Sequence, residues 1–207
     1  MSHRSRAWIT VSSLVLAAGV GVGGLALLPA PAPAPTTSAA AGAWTVDPVH
    51  SFVVFKIRHN GAGNAYGMIH NPAGTFTIDP AKPEASSIEV TLQAEKVSTG
   101  NDGRDKHIRN PDFFNAKEYP TMKFTSTAFK SAGENAFDVT GNLTFLGQTR
   151  PITARLVTLG TGQGRGGPVM GVEATFTIKR SDFGNKTMIG PLGDEVAITV
   201  ALEAGQQ

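Results

Sequence analysis

Alternation of apolar and polar residues with a period of two dominates this sequence from Trp44 onward. In one run, Ile88, Val90 and Leu92 alternate with polar residues, which places the apolar side chains on one face of a β-strand. The same alternation recurs in further runs, which begin at Phe76, Met122, Phe137, Ile152, Val172 and Val196. Each run therefore predicts a strand with one buried face.

The first predicted strand is an exception, because its apolar residues are consecutive. Phe52, Val53, Val54 and Phe55 form an unbroken run, so both faces of this strand are apolar. We expect Phe52, Val54 and Phe55 to contribute to the interior wall of the fold.

Turn-forming residues separate the runs, at Asn71-Pro72, Asp79–Pro83, Ser131–Asn135, Leu146–Gln148 and Gly160–Pro168. About seven to nine strands at this spacing, with almost no helical periodicity, predict an antiparallel sheet that closes on itself. Closure removes the exposed sheet edges that promote aggregation. The predicted fold class is therefore all-β, an antiparallel closed barrel of about eight strands. Its interior is either filled by side chains or holds one small ligand.

The N-terminal segment has a different composition from the rest of the chain. Arg4 and Arg6 precede Ile9–Leu28, which are 20 residues without a charge, and a Pro/Ala-rich stretch then ends at Ala41 and Ala43. This order is typical of a cleaved secretory signal peptide. A stretch of this length also fits an uncleaved membrane anchor followed by a tether. Both interpretations predict a periplasmic or otherwise exported protein.

The expected division is a signal peptide, or an anchor plus tether, in residues 1–43 and one barrel domain in residues 44–207. Without Arg4 and Arg6, 16 Lys and Arg residues face 16 Asp and Glu residues. This balance argues against nucleic acid as a partner. The sequence contains no cysteine, which excludes thiol catalysis, thiolate metal sites and disulfides.

The segment 98–120, STGNDGRDKHIRNPDFFNAKEYP, interrupts the alternation. Asp102 is predicted to cap a short helix, with Asp105 as the acidic partner of a capping box. Asp105 and Arg109 are four residues apart in the favourable acid-first order, and Pro111 ends the helix.

A second helical turn is predicted at Asp112-Phe113-Phe114-Asn115. We therefore expect one or two short helices near residues 102–115. They would lie across the barrel as a lid, with at least one ring of Phe113 or Phe114 pointing inward.

Several groups of residues in this domain resemble the YceI-like family in order and spacing. They are Trp44-x-x-Asp47-x-x-His50-Ser51, Ser98-Thr99-Gly100, Arg104-Asp105-x-His107-Ile108, Asp112-Phe113-Phe114, Tyr119-Pro120, Phe124-x-Ser126, Gly141-Asn142-Leu143-Thr144-Phe145-x-Gly147-x-Thr149-x-Pro151-Ile152 and Arg180-Ser181-Asp182-Phe183-Gly184. The resemblance implies a lipocalin-like barrel, exported to the periplasm. It also implies that the interior holds a long apolar chain, such as a polyisoprenoid or an isoprenoid quinone.

The function that this resemblance implies is lipid carriage or storage without catalysis. The expected partner is a long-chain lipid, with the membrane nearby, and a homodimer is included among the expected assemblies. No cofactor is expected apart from a bound isoprenoid lipid or quinone. Two alternatives remain open: a ligand-free structural or stress-protective barrel with a solid core, and an exported hydrolase.

The residues expected to form the apolar wall are large side chains from the predicted strands and the lid. They are Phe52, Val54, Phe55, Ile88, Val90, Leu92, Phe113, Phe114, Phe124, Phe137, Phe145, Phe176 and Ile178.

The polar residues of the predicted lid have three interpretations. They are a salt-bridged helix surface, a buried Arg104–Asp105 pair that clamps the lid onto the barrel wall, and a polar mouth at which Arg104 or His107 donates hydrogen bonds to a ligand head group.

Other charged residues are expected to be structural ties. They are Asp47 with His50, Asp105, and Arg180 with Asp182, the last pair within a turn at which Gly184 supplies a positive φ.

The sequence provides little support for a metal site or a nucleophilic site. The four histidines of the domain, His50, His59, His70 and His107, lack the spacing of common metal motifs, so no metal site is predicted. A hydrolytic set would have to combine Ser51 or Ser126 with His107 and Asp105, and Asp105 and His107 lie on different sides of a helical turn.

Overall fold

The structure is a computed structural model that describes residues 42–206. The predicted signal peptide or anchor therefore lies almost entirely outside the described residues. Within the described range, no helix is long and apolar enough to cross a membrane.

Eleven strands, all paired in antiparallel fashion, make up most of the described chain. They are β1 (Trp44–Val46), β2 (Phe52–His59), β3 (Gly63–His70), β4 (Ala73–Thr77), β5 (Ser87–Gln93), β6 (Val97–Ser98), β7 (Thr121–Ser131), β8 (Ala136–Phe145), β9 (Gln148–Gly164), β10 (Gly167–Lys179) and β11 (Leu192–Gln206). One α-helix, α1 (Asp102–Arg109), and the short 3-10 helices Pro83–Ala85, Ala94–Lys96 and Arg180–Phe183 complete the elements.

Eight strands form a closed ring in the order β1-β4-β5-β7-β8-β9-β10-β11, and β1 pairs with β11 to close it. The other three strands, β2, β3 and β6, extend β1, β4 and β5. Strand β2 pairs with the part of β11 that β1 does not reach, and β3 pairs with both β2 and β6. The predicted fold class, an all-β antiparallel closed barrel of about eight strands, is confirmed. Breaks in three of its strands account for the larger number of segments.

Hydrogen bonds of Asp47, His50 and Ser51 stabilise the break between β1 and β2. His50 Nδ1 lies 2.8 Å from Asp47 Oδ2, and this hydrogen bond lowers the pKa of Asp47 and raises the pKa of His50. The buried Ser51 hydroxyl donates to the carbonyl of Glu203 on β11 and accepts from its N–H. These bonds tie the broken strand to its neighbour.

Two clusters of buried residues occupy the barrel. The first lies between β1, β4, β5, β7, β8, β9, β10 and β11 and includes Trp44, Phe76, Phe129, Phe137 and Leu156. The second includes Val97, Ala116, Phe145 and Phe183 and packs against the segment that contains α1. One end of the interior is therefore solid, while the other depends on the irregular segment for its cover.

Two glycines make room for aromatic rings inside the barrel. A Cβ atom on Gly67 of β3 would overlap the ring of Phe55 on the paired strand β2. A Cβ atom on Gly141 of β8 would overlap both the ring of Phe124 and the backbone oxygen of Thr125 on β7. The absence of side chains at these two positions leaves room for both rings.

Candidate ligand cavity and its lid

The barrel encloses a cavity of about 830 Å³ at the end covered by the irregular segment. Isolated waters occupy far smaller cavities, so this space is large enough for a small organic ligand. Its lining comes from inward-facing residues of the strands, from α1 and the turn after it, and from the segment between β10 and β11.

Ten of the thirteen residues expected to form the apolar wall line this cavity. They are Phe55, Ile88, Val90, Leu92, Phe113, Phe114, Phe124, Phe145, Phe176 and Ile178. Their place in the lining follows from alternation in the strands and from the inward direction of both rings of the lid.

The structure corrects the other three. Val53, Phe55 and Ile57 of β2 line the cavity. Because successive side chains of a strand point to opposite faces, Phe52 and Val54 point away from it. Phe52 is 36% exposed, and its ring packs edge-on against His70 on the neighbouring strand.

Phe137 lies on the inward face of β8 but does not line the cavity. Its ring packs against Phe129, with centroids 6.1 Å apart, in the solid end of the barrel. Its position along the strand, rather than the face on which it lies, excludes it from the cavity.

Some lining residues were recognisable from alternation but were not included in the expected wall. They are Ile152, Ala154 and Leu156 of β9 and Val196, Ile198 and Val200 of β11. Other lining residues could not be predicted from the alternation. The most important of these is Asn185, which lies in a segment without periodicity.

The lid, defined here as residues 99–119, begins with a short helix whose cap differs from the prediction. Asn101, not Asp102, is the N-cap of α1, and its side-chain oxygen accepts a hydrogen bond of 2.9 Å from the N–H of Arg104. The predicted capping box is therefore wrong, because the residue three positions after the cap is Arg104. The predicted second helical turn is a series of hydrogen-bonded turns, such as that from Phe113 N–H to the carbonyl of Asn110.

Asp105 anchors the start of the lid to Thr99. Asp105 is 6% exposed, and its carboxylate accepts hydrogen bonds from the Thr99 N–H, at 2.7 Å, and from the Thr99 hydroxyl. Burial opposes ionisation, but these hydrogen bonds and the nearby Arg109 guanidinium outweigh it, so the pKa of Asp105 is lowered. The role of Asp105 as a structural tie agrees with the prediction, although its partner is Thr99 rather than Arg104.

Arg104 and His107 both line the cavity. The Arg104 guanidinium donates to the hydroxyl and the carbonyl of Thr99, at 2.7 and 2.8 Å. The His107 ring lies edge-on to Phe113, with centroids 5.0 Å apart, and its Nε2 is 3.3 Å from a carboxylate oxygen of Asp112. The buried Arg104–Asp105 ion pair that we considered does not form.

Arg180, in the 3-10 helix after β10, also lines the cavity. It is 5% exposed and donates to the carbonyls of Gly193, Thr187 and Leu192 and to Oδ1 of Asn185. Burial lowers the pKa of this guanidinium, and the Asp194 carboxylate partly opposes that effect.

The predicted Arg180–Asp182 tie is wrong. The Asp182 carbonyl accepts a hydrogen bond from Arg150. The carboxylate that bonds to this turn is that of Asp194 on β11, which accepts from both the N–H and the hydroxyl of Ser181. Gly184 has the expected positive φ of 86°.

The hydrolytic set that we considered is not assembled. The Ser51 hydroxyl is bonded to the backbone of Glu203, and the Ser126 hydroxyl accepts from the N–H of Ile88. His107 contacts Asp112, and Asp105 contacts Thr99.

Asp47, His50 and Glu203 place three possible metal-ligand atoms within 4.8 Å of one another, at a surface that the cavity does not reach. The Asp47–His50 hydrogen bond already accounts for two of these groups.

The fold and this site define a class of protein: an antiparallel lipocalin-like barrel with a lidded, mainly apolar interior. The model of the YceI-like domain matches residues 44–204. Protein YceI of Escherichia coli is 41% identical over 159 residues, which cover 76% of this chain and 83% of that protein. The chain belongs to the YceI-like family.

A UPF0312 protein of Azotobacter vinelandii is 40% identical over 159 residues, with the same coverage of 76% and 83%. Among solved structures, Burkholderia cenocepacia BcnA has a TM-score of 0.70 at 27% identity, covering 77% of this chain and 99% of that chain. A polyisoprenoid binding domain from Saccharophagus degradans has a TM-score of 0.63 at 18% identity, covering 80% and 99%, and shows the shared fold.

Proposed function

We propose that this protein is an exported carrier or storage barrel that holds one long-chain amphiphile, an isoprenoid lipid or quinone, without chemical turnover. The observation that carries the proposal is the cavity of about 830 Å³ beneath the lid, with walls of aliphatic and aromatic side chains. Each CH₂ group moved from water into such a site contributes about 0.8 kcal/mol. The apolar tail would therefore supply most of the binding free energy.

The geometry of the lid supports the same function. Its Phe114 ring packs against Phe145, with centroids 5.5 Å apart, and lies 6.4 Å from Phe55, so the tail would touch aromatic faces on both the lid and the wall. Arg104 and His107 line the cavity beside these rings and would meet the polar head. The relative from Saccharophagus degradans is named for polyisoprenoid binding, which agrees with an isoprenoid tail.

The cavity argues against the alternative of a structural barrel with a solid core. A filled interior would leave no space of this size, whereas here the filled part is confined to the cluster that contains Trp44 and Phe137. The hydrolase alternative loses the residue set on which it depended, because Ser51 and Ser126 are bonded to the backbone.

The deciding experiment is organic extraction of the protein purified from its native host, followed by mass spectrometry. We expect one long-chain lipid in near-stoichiometric amount. The delipidated protein should then gain thermal stability when the extracted lipid is added back, because a ligand that binds only the folded state stabilises it. A protein that yields no lipid, and whose melting temperature does not respond to added isoprenoids, would contradict the proposal.

The location and assembly of the protein are separate parts of the proposal. The order of charges and apolar residues in the N-terminal segment supports export by a signal peptide cleaved before Trp44, and a lipid ligand would bring the barrel close to a membrane. N-terminal sequencing of the protein from a periplasmic extract should begin at Trp44; recovery only in the membrane fraction, with an intact N-terminus, would favour the anchor. Sedimentation of the purified protein tests the homodimer, which a monomer mass would contradict.

A further inference from the structure

The cavity opens to solvent beside the β2–β3 hairpin. Three residues of this hairpin, His59, Asn64 and Tyr66, line the cavity and are exposed at the same time. Met188, in the loop before β11, has the same two properties. Because a residue that meets both the cavity and solvent lies where the two join, the hairpin and the loop border the opening.

The surface beside this opening is formed by residues 56–66 and 186–192, which are together called the rim here. The two segments are adjacent, because the N–H of Asn60 donates a hydrogen bond of 2.6 Å to the carbonyl of Pro191. Strand β2 also pairs with the first residue of β11. The rim is therefore one continuous surface along part of the opening.

The rim exposes three large apolar or aromatic side chains. Tyr66 is 58% exposed, Met188 is 50% exposed and Ile189 is 46% exposed. Met188 has a φ of 53°, a left-handed backbone conformation that residues with a side chain rarely adopt. Its carbonyl accepts a hydrogen bond of 2.9 Å from the N–H of Leu192, which holds this conformation. The loop therefore keeps two neighbouring apolar side chains in solvent at a cost in backbone strain, which points to a partner for them.

The charged residues of the rim are all basic. It contains Lys56, Arg58 and Lys186 and no Asp or Glu. Within the described part of the chain, no carboxylate oxygen lies within 4.0 Å of these three cations. The acids that follow the rim, Asp194 and Glu195, do not pair with them. The rim is therefore a local excess of positive charge on a domain whose basic and acidic residues balance.

We infer that the rim docks on an anionic membrane surface, with Met188 and Ile189 at the level of the lipid head groups and the three cations against lipid phosphates. This inference rests on the proposed carrier function, because a lipid carrier must meet the bilayer that supplies or receives its ligand. Exposed apolar and aromatic side chains beside basic residues are typical of surfaces that lie in the membrane interface. Each basic residue near an anionic leaflet strengthens binding by about five-fold.

The charge of the rim also argues against a second copy of this chain as the partner. A two-fold interface places the same surface of both copies together, so the unpaired cations of one copy would face those of the other. Like charges brought together in this way repel. An anionic bilayer compensates the cations and accepts the apolar side chains at the same time.

The test measures how the rim of the full chain responds to vesicles. Because the chain contains no cysteine, one fluorophore can be placed at a chosen residue. Ala62→Cys, in the turn of the hairpin, carries the environment-sensitive fluorophore NBD without altering the apolar or basic residues of the rim. We expect its emission to shift to the blue on vesicles of phosphatidylcholine that contain phosphatidylglycerol. Affinity for vesicles of phosphatidylcholine alone should be at least about ten-fold lower.

The same label at Glu134→Cys is the control for orientation. Glu134 lies in the turn between β7 and β8, beside Phe129 and Phe137 of the solid end of the barrel. This label should show no shift on either kind of vesicle. Both labelled proteins carry the same N-terminal segment, so insertion of that segment cannot produce a difference between the two labels.

A pair of lysine substitutions tests the charge. Among the described residues, the ammonium groups of Lys56 and Lys186 have no ion-pair partner, so Lys56→Gln with Lys186→Gln removes charge without breaking an ion pair. We expect at least about five-fold weaker binding to the anionic vesicles. The matched control is Lys130→Gln with Arg165→Gln, which changes the net charge equally outside the rim and should leave binding unchanged.

Ile189→Ser tests the apolar part of the rim. Ile189 does not line the cavity, so the ligand space is kept, and binding to the anionic vesicles should weaken by at least about three-fold. Leu159→Ser, at an exposed leucine of β9, is the control and should bind as the wild type does. Sedimentation of both variants without vesicles shows whether Ile189 contacts a second copy instead.

The outcomes separate the two proposals. Equal shifts of the two labels, or unchanged vesicle affinity after loss of both rim lysines, would overturn the docking surface while the carrier function stands. A dimer that Ile189→Ser converts to a monomer, with vesicle binding intact, would assign the rim to a second copy and overturn the inference. Docking that follows the expected pattern in a protein that yields no lipid on extraction would overturn the carrier function alone.

Discussion

Asn185 donates a hydrogen bond of 2.9 Å from Nδ2 to the carbonyl oxygen of Phe113, which joins the segment before β11 to the lid. The same amide accepts a hydrogen bond of 2.8 Å at Oδ1 from Arg180. Asn185 is 7% exposed, so both bonds are shielded from water. This one side chain therefore links the buried Arg180 to the lid.

Replacement of Asn185 by alanine should loosen the lid without altering the barrel. The change removes both hydrogen bonds and leaves the Phe113 carbonyl without its partner, at a cost of about 1–3 kcal/mol in the free energy of unfolding. Amide hydrogen exchange should become faster in α1 and in the turns after it, and remain unchanged in β8 and β9. Asn142→Ala, on the outer face of β8, is the control. Unchanged exchange in the lid of N185A would show that this bond does not hold it.

Asp105 should make the anchorage of the lid dependent on pH. Its pKa is lowered in the folded state from an ordinary value of 3.8, so its contribution to stability is present above that value and is lost as pH falls through the lower, folded-state pKa. As pH falls below about 4, urea unfolding of the wild type should therefore show a larger loss of stability than that of Asp105→Asn, because Asn keeps an oxygen acceptor for Thr99 but does not titrate.

Asp105→Ala separates the hydrogen bonds from the charge. It removes the acceptor for both Thr99 donors and should cost about 1–3 kcal/mol at neutral pH. Asp138→Asn, at an exposed carboxylate that pairs with Arg155, provides the comparison and should change stability by no more than about 1 kcal/mol. A pH profile of Asp105→Asn that parallels the wild type would contradict the assignment.

A large residue at Ala174 should exclude the ligand. Ala174 of β10 lines the cavity, and Ala174→Trp would fill part of it. We expect at least about a ten-fold loss of lipid affinity, with a change in unfolding free energy within about 3 kcal/mol. Thr175→Trp places the same side chain on the outer face of the same strand and should leave affinity unchanged. Equal lipid content in both variants would show that the ligand does not occupy this cavity.

The two glycines beside aromatic rings should differ in their tolerance of alanine. At Gly141 the new methyl group meets the backbone oxygen of Thr125 as well as the Phe124 ring, so Gly141→Ala should destabilise the protein by about 1–3 kcal/mol. At Gly67 the overlap is with the Phe55 ring alone, and this ring can turn into the cavity. Gly67→Ala should therefore cost less in thermal or urea unfolding, and the reverse order would contradict this account.

Alternation in the sequence was sufficient to predict the barrel and most of its inner wall. On β5 the polar partners of Ile88, Val90 and Leu92 fix which face is buried, and the structure places all three in the cavity lining. The lid was recognisable as well, because residues 98–120 break the period of two. These features depend on local order along the chain, which the sequence states directly.

Other features depended on the tertiary structure. The run from Phe52 to Phe55 is apolar on both faces, so only pairing with β11 and β3 decides that Val53 and Phe55 face inward. Phe137 has the parity of a wall residue, but its height along the barrel places it in the solid end. The strand face on which a residue lies is a local property. Its position along the barrel, in contrast, depends on how the strands are staggered when the sheet closes.

The contacts of the mouth were also decided by the tertiary structure. Arg180 bonds to Asn185 and to carbonyls near β11 rather than to the adjacent acid Asp182, because a buried guanidinium is satisfied by the oxygens that the folded segment brings around it. The sequence by itself determined a closed barrel with a lid. Only the folded chain decided which residues hold that lid and which charges face the cavity, because those contacts join segments that are distant in sequence.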